Sequence, residues 1–193
     1  MILYLHGFNS SPQSGKARAL AAALAAMGRA DQFQCPALHH RPAQAIAQAE
    51  ALIVRAQAAA EPVTLVGSSL GGYYATCLSE RHRLPAVLLN PAVAPALDLE
   101  HYRGWQTNLH TGERYELTAA HLHELLALRA DSVTPQRYLL IVETGDEVLD
   151  YRLAVQRFAG CQQIIEPGGD HSLGSFAQHL PRIVQFAGII PAG

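Results

Sequence analysis

The sequence predicts an α/β fold, with about six parallel strands in one sheet, helices on both faces, and a small helical cap insertion after the fourth strand. Three observations predict it. Short β-branched or Leu-rich runs alternate with longer helical patterns, and parallel strands require crossovers of that length. The rhythm breaks once, after residue 90, and resumes near residue 137. The chain of 193 residues is 49% hydrophobic and 16% charged and has no repeat or low-complexity linker, so a single domain over 1–193 can bury a substantial core.

In chain order, ILYL (2–5) is the first strand, and GKARALAAALAAMG (15–28) is a helix with Leu20, Leu24 and Met27 on one face. FQCPAL (33–38) reads as a short second strand, and AQAIAQAEALIVRAQAAA (43–60) as a long helix with Ile46, Glu50 and Ile53 at helical spacing. VTLVG (63–67) is the third strand, GYYATCLSERH (72–82) a helix, and PAVLLN (85–90) the fourth strand. Residues 91–135 hold loop-like and helical material, including TAAHLHELLALRAD (118–131), but no convincing strand. RYLLIVETG (137–145), a helix near 150–159, QQIIEP (162–167) and a closing helix over 175–188 complete the alternation.

Composition removes several function classes. The formal net charge is −2, with neither a basic face for nucleic acid nor a polybasic membrane anchor. The apolar run of MILYLHGF lacks a basic leader and is too short for a signal peptide or a span, as is the Ala-rich 19–28. Three cysteines, Cys35, Cys77 and Cys161, are dispersed without a CxxC pair, which fits reduced, core-packed thiols in a cytoplasmic protein. The oligomeric state stays open, a homodimer included.

GSSLGG (67–72) stands between a strand and a helix, where a nucleophile elbow sits. The elbow crowds the positions two before and two after the nucleophile, so both need small residues. Gly67 and Gly71 satisfy that for Ser69, whereas Ser68 would put Val66 and Leu70 there. A phosphate-cradling loop is the bland alternative. GSSLGG lacks both the GK[ST] ending and the GxGxxG spacing such loops use.

An elbow serine needs a base and an orienting acid, which follow in the order Ser, Asp/Glu, His at the carboxyl ends of strands. ETGDEVLDY places Asp146 just beyond one strand, and EPGGDHSLG places His171 just beyond the next. Glu143 falls on the strand, Glu147 and Asp150 lie towards the following helix, and Asp170 is too close in sequence to His171 to align with its imidazole. His39, His40, His82, His121, His123 and His179 read as solvated helix or loop residues. LHGFNSS (5–11) follows the first strand with an oxyanion-loop pattern, so the Phe8 and Leu70 backbone amides are the candidate oxyanion donors. His6 is expected to brace that loop by a hydrogen bond.

LYLHGFNSSPQSGKA, VGSSLGGYYAT, LLNPAV, TGDEVLDY and GGDHS, in this order, resemble the α/β-hydrolase superfamily and, more narrowly, the small bacterial YqiA-like esterases. The resemblance runs through nearly the whole chain. It implies an α/β-hydrolase core with Ser69, Asp146 and His171 as the triad. It also implies hydrolysis of small-molecule acyl esters or thioesters, with no metal or organic cofactor. The chain opens at the strand carrying the oxyanion loop, so the sheet is expected to be small and wholly parallel. Residues 91–131 are then expected to form the cap, with Tyr102, Trp105 and Tyr115 lining an acyl or leaving-group pocket or merely anchoring the segment.

Three rival readings follow. The same triad could transfer the acyl group to an acceptor other than water. The chain could be a catalytically idle hydrolase-fold binding protein, although all three triad residues are present. A metal hydrolase would have to use His39-His40 or His121-x-His123, which lack a nearby carboxylate cluster or an HExxH pattern.

Overall fold

In the computed structural model, residues 1–108 and 110–191 are described. The strands are β1 (Ile2–Leu5), β2 (Phe33–Gln34), β3 (Thr64–Ser68), β4 (Ala86–Leu89), β5 (Gly104–Thr107), β6 (Arg114–Leu117), β7 (Tyr138–Glu143) and β8 (Gln162–Glu166). The α-helices are α1 (Gly15–Ala26), α2 (Pro42–Ala58), α3 (Leu70–His82), α4 (Pro95–Asp98), α5 (Ala119–Ala127), α6 (Tyr151–Arg157) and α7 (Phe176–Phe186). Six strands form one wholly parallel sheet in the order β2-β1-β3-β4-β7-β8. This is the α/β-hydrolase architecture, and it matches the expected strand count and direction.

Alternation along the strands divides the core. Leu3, Leu5, Leu65, Leu88, Leu140 and Val142 pack beneath α2, α3 and α6. Ile2, Tyr4, Val66, Val87, Leu139 and Ile141 pack beneath α1 and α7. Burial on both faces is why the strands read as continuous apolar runs. At the end of the sheet where β7 begins, Glu80 of α3 accepts hydrogen bonds from Thr134 N (2.7 Å), Arg137 Nη1 (2.8 Å) and Tyr138 Oη (2.6 Å). That carboxylate fixes the entry into β7. The loops that leave β1, β3, β7 and β8 gather at the opposite end.

Two expectations need correction. The insertion is not purely helical: besides α4 and α5 it carries an antiparallel hairpin of β5 and β6, with Trp105 opposite Glu116 and Gln106 opposite Tyr115. Its strands are four residues each, and β5 (GWQT) turns Gly104 and Gln106 inward with Trp105 outward, so the sequence carries little strand signal. Strand β2 has two ladder residues rather than six. Pro36 has no N–H to donate, and the Leu38 amide turns away to donate to His6 Nε2 at 3.0 Å. Leu109 and residues 192–193, which belong to the expected insertion and the expected domain, lie outside the described residues.

Candidate active site

Ser69 stands between β3 and α3 at φ 55°, ψ −122°, a backbone conformation L-residues avoid. Its surroundings over-determine that conformation. The Ser69 amide donates to Leu89 O (3.0 Å), and its carbonyl accepts from Gly72 N (2.9 Å) and Ala92 N (3.1 Å). A Cβ at Gly67 would lie 2.3 Å from Gly71 O, and one at Gly71 would lie 1.9 Å from Leu5 O. The two glycines are therefore required by close backbone approach, as the elbow reading expects.

The loop after β7 brings Asp146, and the loop after β8 brings His171, to this serine. His171 Nε2 is 3.0 Å from Ser69 Oγ, and His171 Nδ1 is 2.8 Å from Asp146 Oδ2. The carboxylate fixes the proton on Nδ1 and leaves Nε2 as the acceptor for the serine hydroxyl. The Asp146 side chain is 1% exposed. Burial pushes its pKa up, but the hydrogen bonds from His171, Leu149 N and Val148 N outweigh burial and hold it below the usual carboxylate value. Such a line can carry a proton from hydroxyl to imidazole while the imidazolium rests on a fixed negative charge. Of the competing acids, Glu147 accepts the His171 amide at 2.9 Å, and Asp170 accepts from Ser172 N at 2.8 Å.

Phe8 and Leu70 line the same cleft as Ser69 and His171. Among the described residues neither the Phe8 nor the Leu70 amide has a hydrogen-bond acceptor. His6 is buried and both its ring nitrogens are engaged, Nδ1 with Gly7 O (3.1 Å) and Nε2 with the Leu38 amide. It braces the loop, as expected, and has no free nitrogen for proton transfer. Burial lowers its pKa, which favours that neutral form.

The cleft has two arms that meet at Ser69 and His171. One, of about 810 Å³, is lined by Phe8, Pro95, Leu97, Leu99, Tyr102 and Val148. The other, of about 680 Å³, is more polar and includes Ser10, Ser14, Lys16 and Ser172. Of the three cap aromatics, only Tyr102 lines the apolar arm. Trp105 is 68% exposed beneath the Arg114 guanidinium and does not line it, because strand alternation turns the neighbouring Gln106 inward instead. Tyr115 is buried behind the loop after β1, where its hydroxyl donates to Asn9 Oδ1 at 2.7 Å. Asn9 Nδ2 donates to Gln106 Oε1 (3.2 Å) and Asn108 Nδ2 to Ser10 O (2.9 Å), so the hairpin is tied to the loop at three points.

Sequence reasoning missed two features. Glu143, Asn90 and Lys16 all bond the backbone around His171; only Glu143 carried a signal, as a carboxylate at a strand end. His121 and His179 are buried rather than solvated. His121 closes the capping box of α5 and meets His40, which stacks on Tyr115 at 4.3 Å.

Solved structures share this fold at low identity. Mouse alpha/beta hydrolase domain-containing protein 10 matches with a TM-score of 0.70 and 16% identity, over 95% of this chain and 87% of that one. A monoacylglycerol lipase from Paleococcus ferrophilus matches at 0.67 and 16%, over 96% and 93%. An esterase domain of a Rhodothermus marinus protein matches at 0.68 and 17%, over 96% and 85%. The model of an uncharacterised protein family, UPF0227, matches residues 1–188.

Proposed function

This chain belongs to the uncharacterised protein family UPF0227, and we propose that it is a serine carboxylic ester hydrolase acting on acyl esters or thioesters through an acyl-enzyme. One observation carries the reading: an unbroken hydrogen-bond line, Asp146–His171–Ser69, opens onto a cleft beside two amides without acceptors among the described residues. The named lipase and esterase among the similar folds agree with it.

Ser69 Oγ attacks the acyl carbonyl carbon as His171 Nε2 takes the hydroxyl proton. The Phe8 and Leu70 amides hold the oxyanion of the tetrahedral intermediate. Asp146 keeps the Nδ1–H tautomer and stabilises the imidazolium. The intermediate collapses as the imidazolium gives its proton to the departing alcohol or thiol. Water, deprotonated by the same Nε2, then attacks the acyl-serine and releases the carboxylic acid. In this reading the apolar arm takes the acyl chain and the arm with Lys16 takes the leaving group.

The test is turnover of aryl esters and acyl thioesters of graded chain length by the native chain and by Ser69→Ala. The native chain is expected to hydrolyse them, and the variant, still folded, to lose about four orders of magnitude in kcat. Equal turnover by both would sink the assignment of the nucleophile.

A further inference from the structure

The histidine loop, residues 167–175, contains no helix or strand, and most of it is exposed. A segment of that kind has little of its own to hold one conformation. Yet the His171 imidazole must sit within hydrogen-bond reach of both Ser69 and Asp146. Asp170 caps the loop from within by accepting from Ser172 N (2.8 Å), and Glu147 and Lys16 reach it from outside, at His171 N (2.9 Å) and Ser172 O (2.6 Å), but one buried side chain bonds it at three amides.

Glu143 is the last residue of β7 and is 2% exposed. Its Oε2 accepts from Asp170 N at 2.8 Å and Gly174 N at 3.1 Å, and its Oε1 accepts from Ser175 N at 2.7 Å. The three donors lie on both sides of His171, so the carboxylate spans the histidine like a staple. Asn90 adds to it: its Oδ1 accepts from Glu143 N (3.0 Å), and its Nδ2 donates to Asp170 O (3.1 Å). Gly169 has φ +72°, and a Cβ there would come 2.0 Å from Glu143 Oε2, so any other residue at this position is strained and must displace the carboxylate. Burial alone would push the Glu143 pKa up, but the Ser175, Asp170 and Gly174 donors outweigh it and keep the group ionised. A charged acceptor of several N–H groups makes stronger bonds than a neutral one.

We propose that Glu143 is a positioning residue for His171: its buried carboxylate staples the loop on both sides of the histidine and thereby sets the imidazole between Asp146 and Ser69. This rests on the reading of His171 as the base. The same turn serves both acids, since the Asp146 amide donates to Glu143 O at 3.3 Å. Glu143 acts on the backbone, and Asp146 acts on the ring.

The experiment compares the native chain with Glu143→Gln, Gly169→Ala and Glu80→Gln, the last perturbing a carboxylate at the other end of the sheet. Two readouts are taken on p-nitrophenyl acetate and by proton NMR: steady-state kcat and KM, and the low-field signal of the Nδ1–H shared by His171 and Asp146. Gln can offer only one neutral acceptor oxygen and turns an N–H toward amides that are themselves donors. Glu143→Gln is expected to lower kcat about 100-fold with KM within about threefold, and to broaden or abolish the low-field signal. Gly169→Ala, which pushes the carboxylate away from the loop, is expected to do the same. Glu80→Gln is expected to lower thermal stability and leave the signal intact. A folded Glu143→Gln or Gly169→Ala with near-native kcat and an unchanged signal overturns the proposal. So does failure of both to fold, which would make the carboxylate a requirement of the whole fold. If the native chain and Ser69→Ala prove equally inactive, the esterase reading fails instead, and the NMR signal alone still decides the role of Glu143.

Discussion

Gly71→Ala tests the elbow most directly, because the structure gives the size of the clash. The added methyl would lie 1.9 Å from Leu5 O, 2.5 Å from Leu5 C and 2.7 Å from His6 O. All three partners are backbone atoms, so no side chain can swing aside. Relief requires α3 and the end of β1 to part by about 1 Å, given van der Waals contact distances above ~3 Å. The end of β1 leads straight into Phe8, and α3 begins at Leu70, so the shift pulls the two candidate oxyanion amides apart. A misplacement of about 1 Å costs on the order of 100-fold in rate, or about 2.7 kcal/mol of transition-state stabilisation. Overpacking should also lower folding stability by about 1–3 kcal/mol. The assay is kcat on p-nitrophenyl acetate beside urea unfolding of the same samples. A folded Gly71→Ala with kcat within about threefold of native would refute the argument that this contact sets the amide pair.

Other outcomes follow from the cap and the histidine cluster. Tyr115→Phe removes the donor to Asn9 and with it about 1 kcal/mol of the tie between the hairpin and the loop after β1; stopped-flow assays should show kcat reduced by about tenfold or less. His40 and His121 both have pKa values lowered from 6.5, chiefly by burial; Arg41 lowers both further, and the carboxylates of Glu113 and Glu124 partly offset this at His40, as Glu124 does at His121. The folded chain therefore takes up protons at these sites less readily than the unfolded chain. Their contribution to stability is complete above pH 6.5 and is lost as pH falls below it towards the folded values. Thermal melts between pH 7 and pH 5 should show a falling Tm, with a shallower slope in the His40→Gln, His121→Gln double variant. Chelator treatment should leave ester turnover unchanged, since no group of three or more His, Cys, Asp or Glu is placed to hold a metal among the described residues.

The parts of the site that were legible in the sequence are those set by neighbours along the chain. Ser69 is singled out by Gly67 and Gly71, because the elbow crowds positions two residues away. Asp146 and His171 could be located because parallel strands end at one edge of the sheet, so loops far apart in sequence share an address. What stayed hidden depends on distant partners. Glu143 reads as a spare acid until its donors arrive from residues 27 to 32 positions further on. His121 looks solvated on a helix until His40, from the loop before α2, covers it. Trp105 is the larger ring, but one step of strand alternation gives the cleft to Gln106.

The three ties between the hairpin and the loop after β1 also make the cleft's roof and, under the proposed function, its chemistry a single mechanical unit. Lifting β5 and β6 away from the cleft must either break those bonds or drag Phe8 with them. Access and competence are then not independent variables. Under the proposed function, whatever an acyl chain contributes by holding the hairpin down against Tyr102 would be returned as order at the Phe8 amide, and the linkage would be reciprocal. A substrate too short to reach the hairpin would forgo part of that stabilisation even with its carbonyl correctly seated.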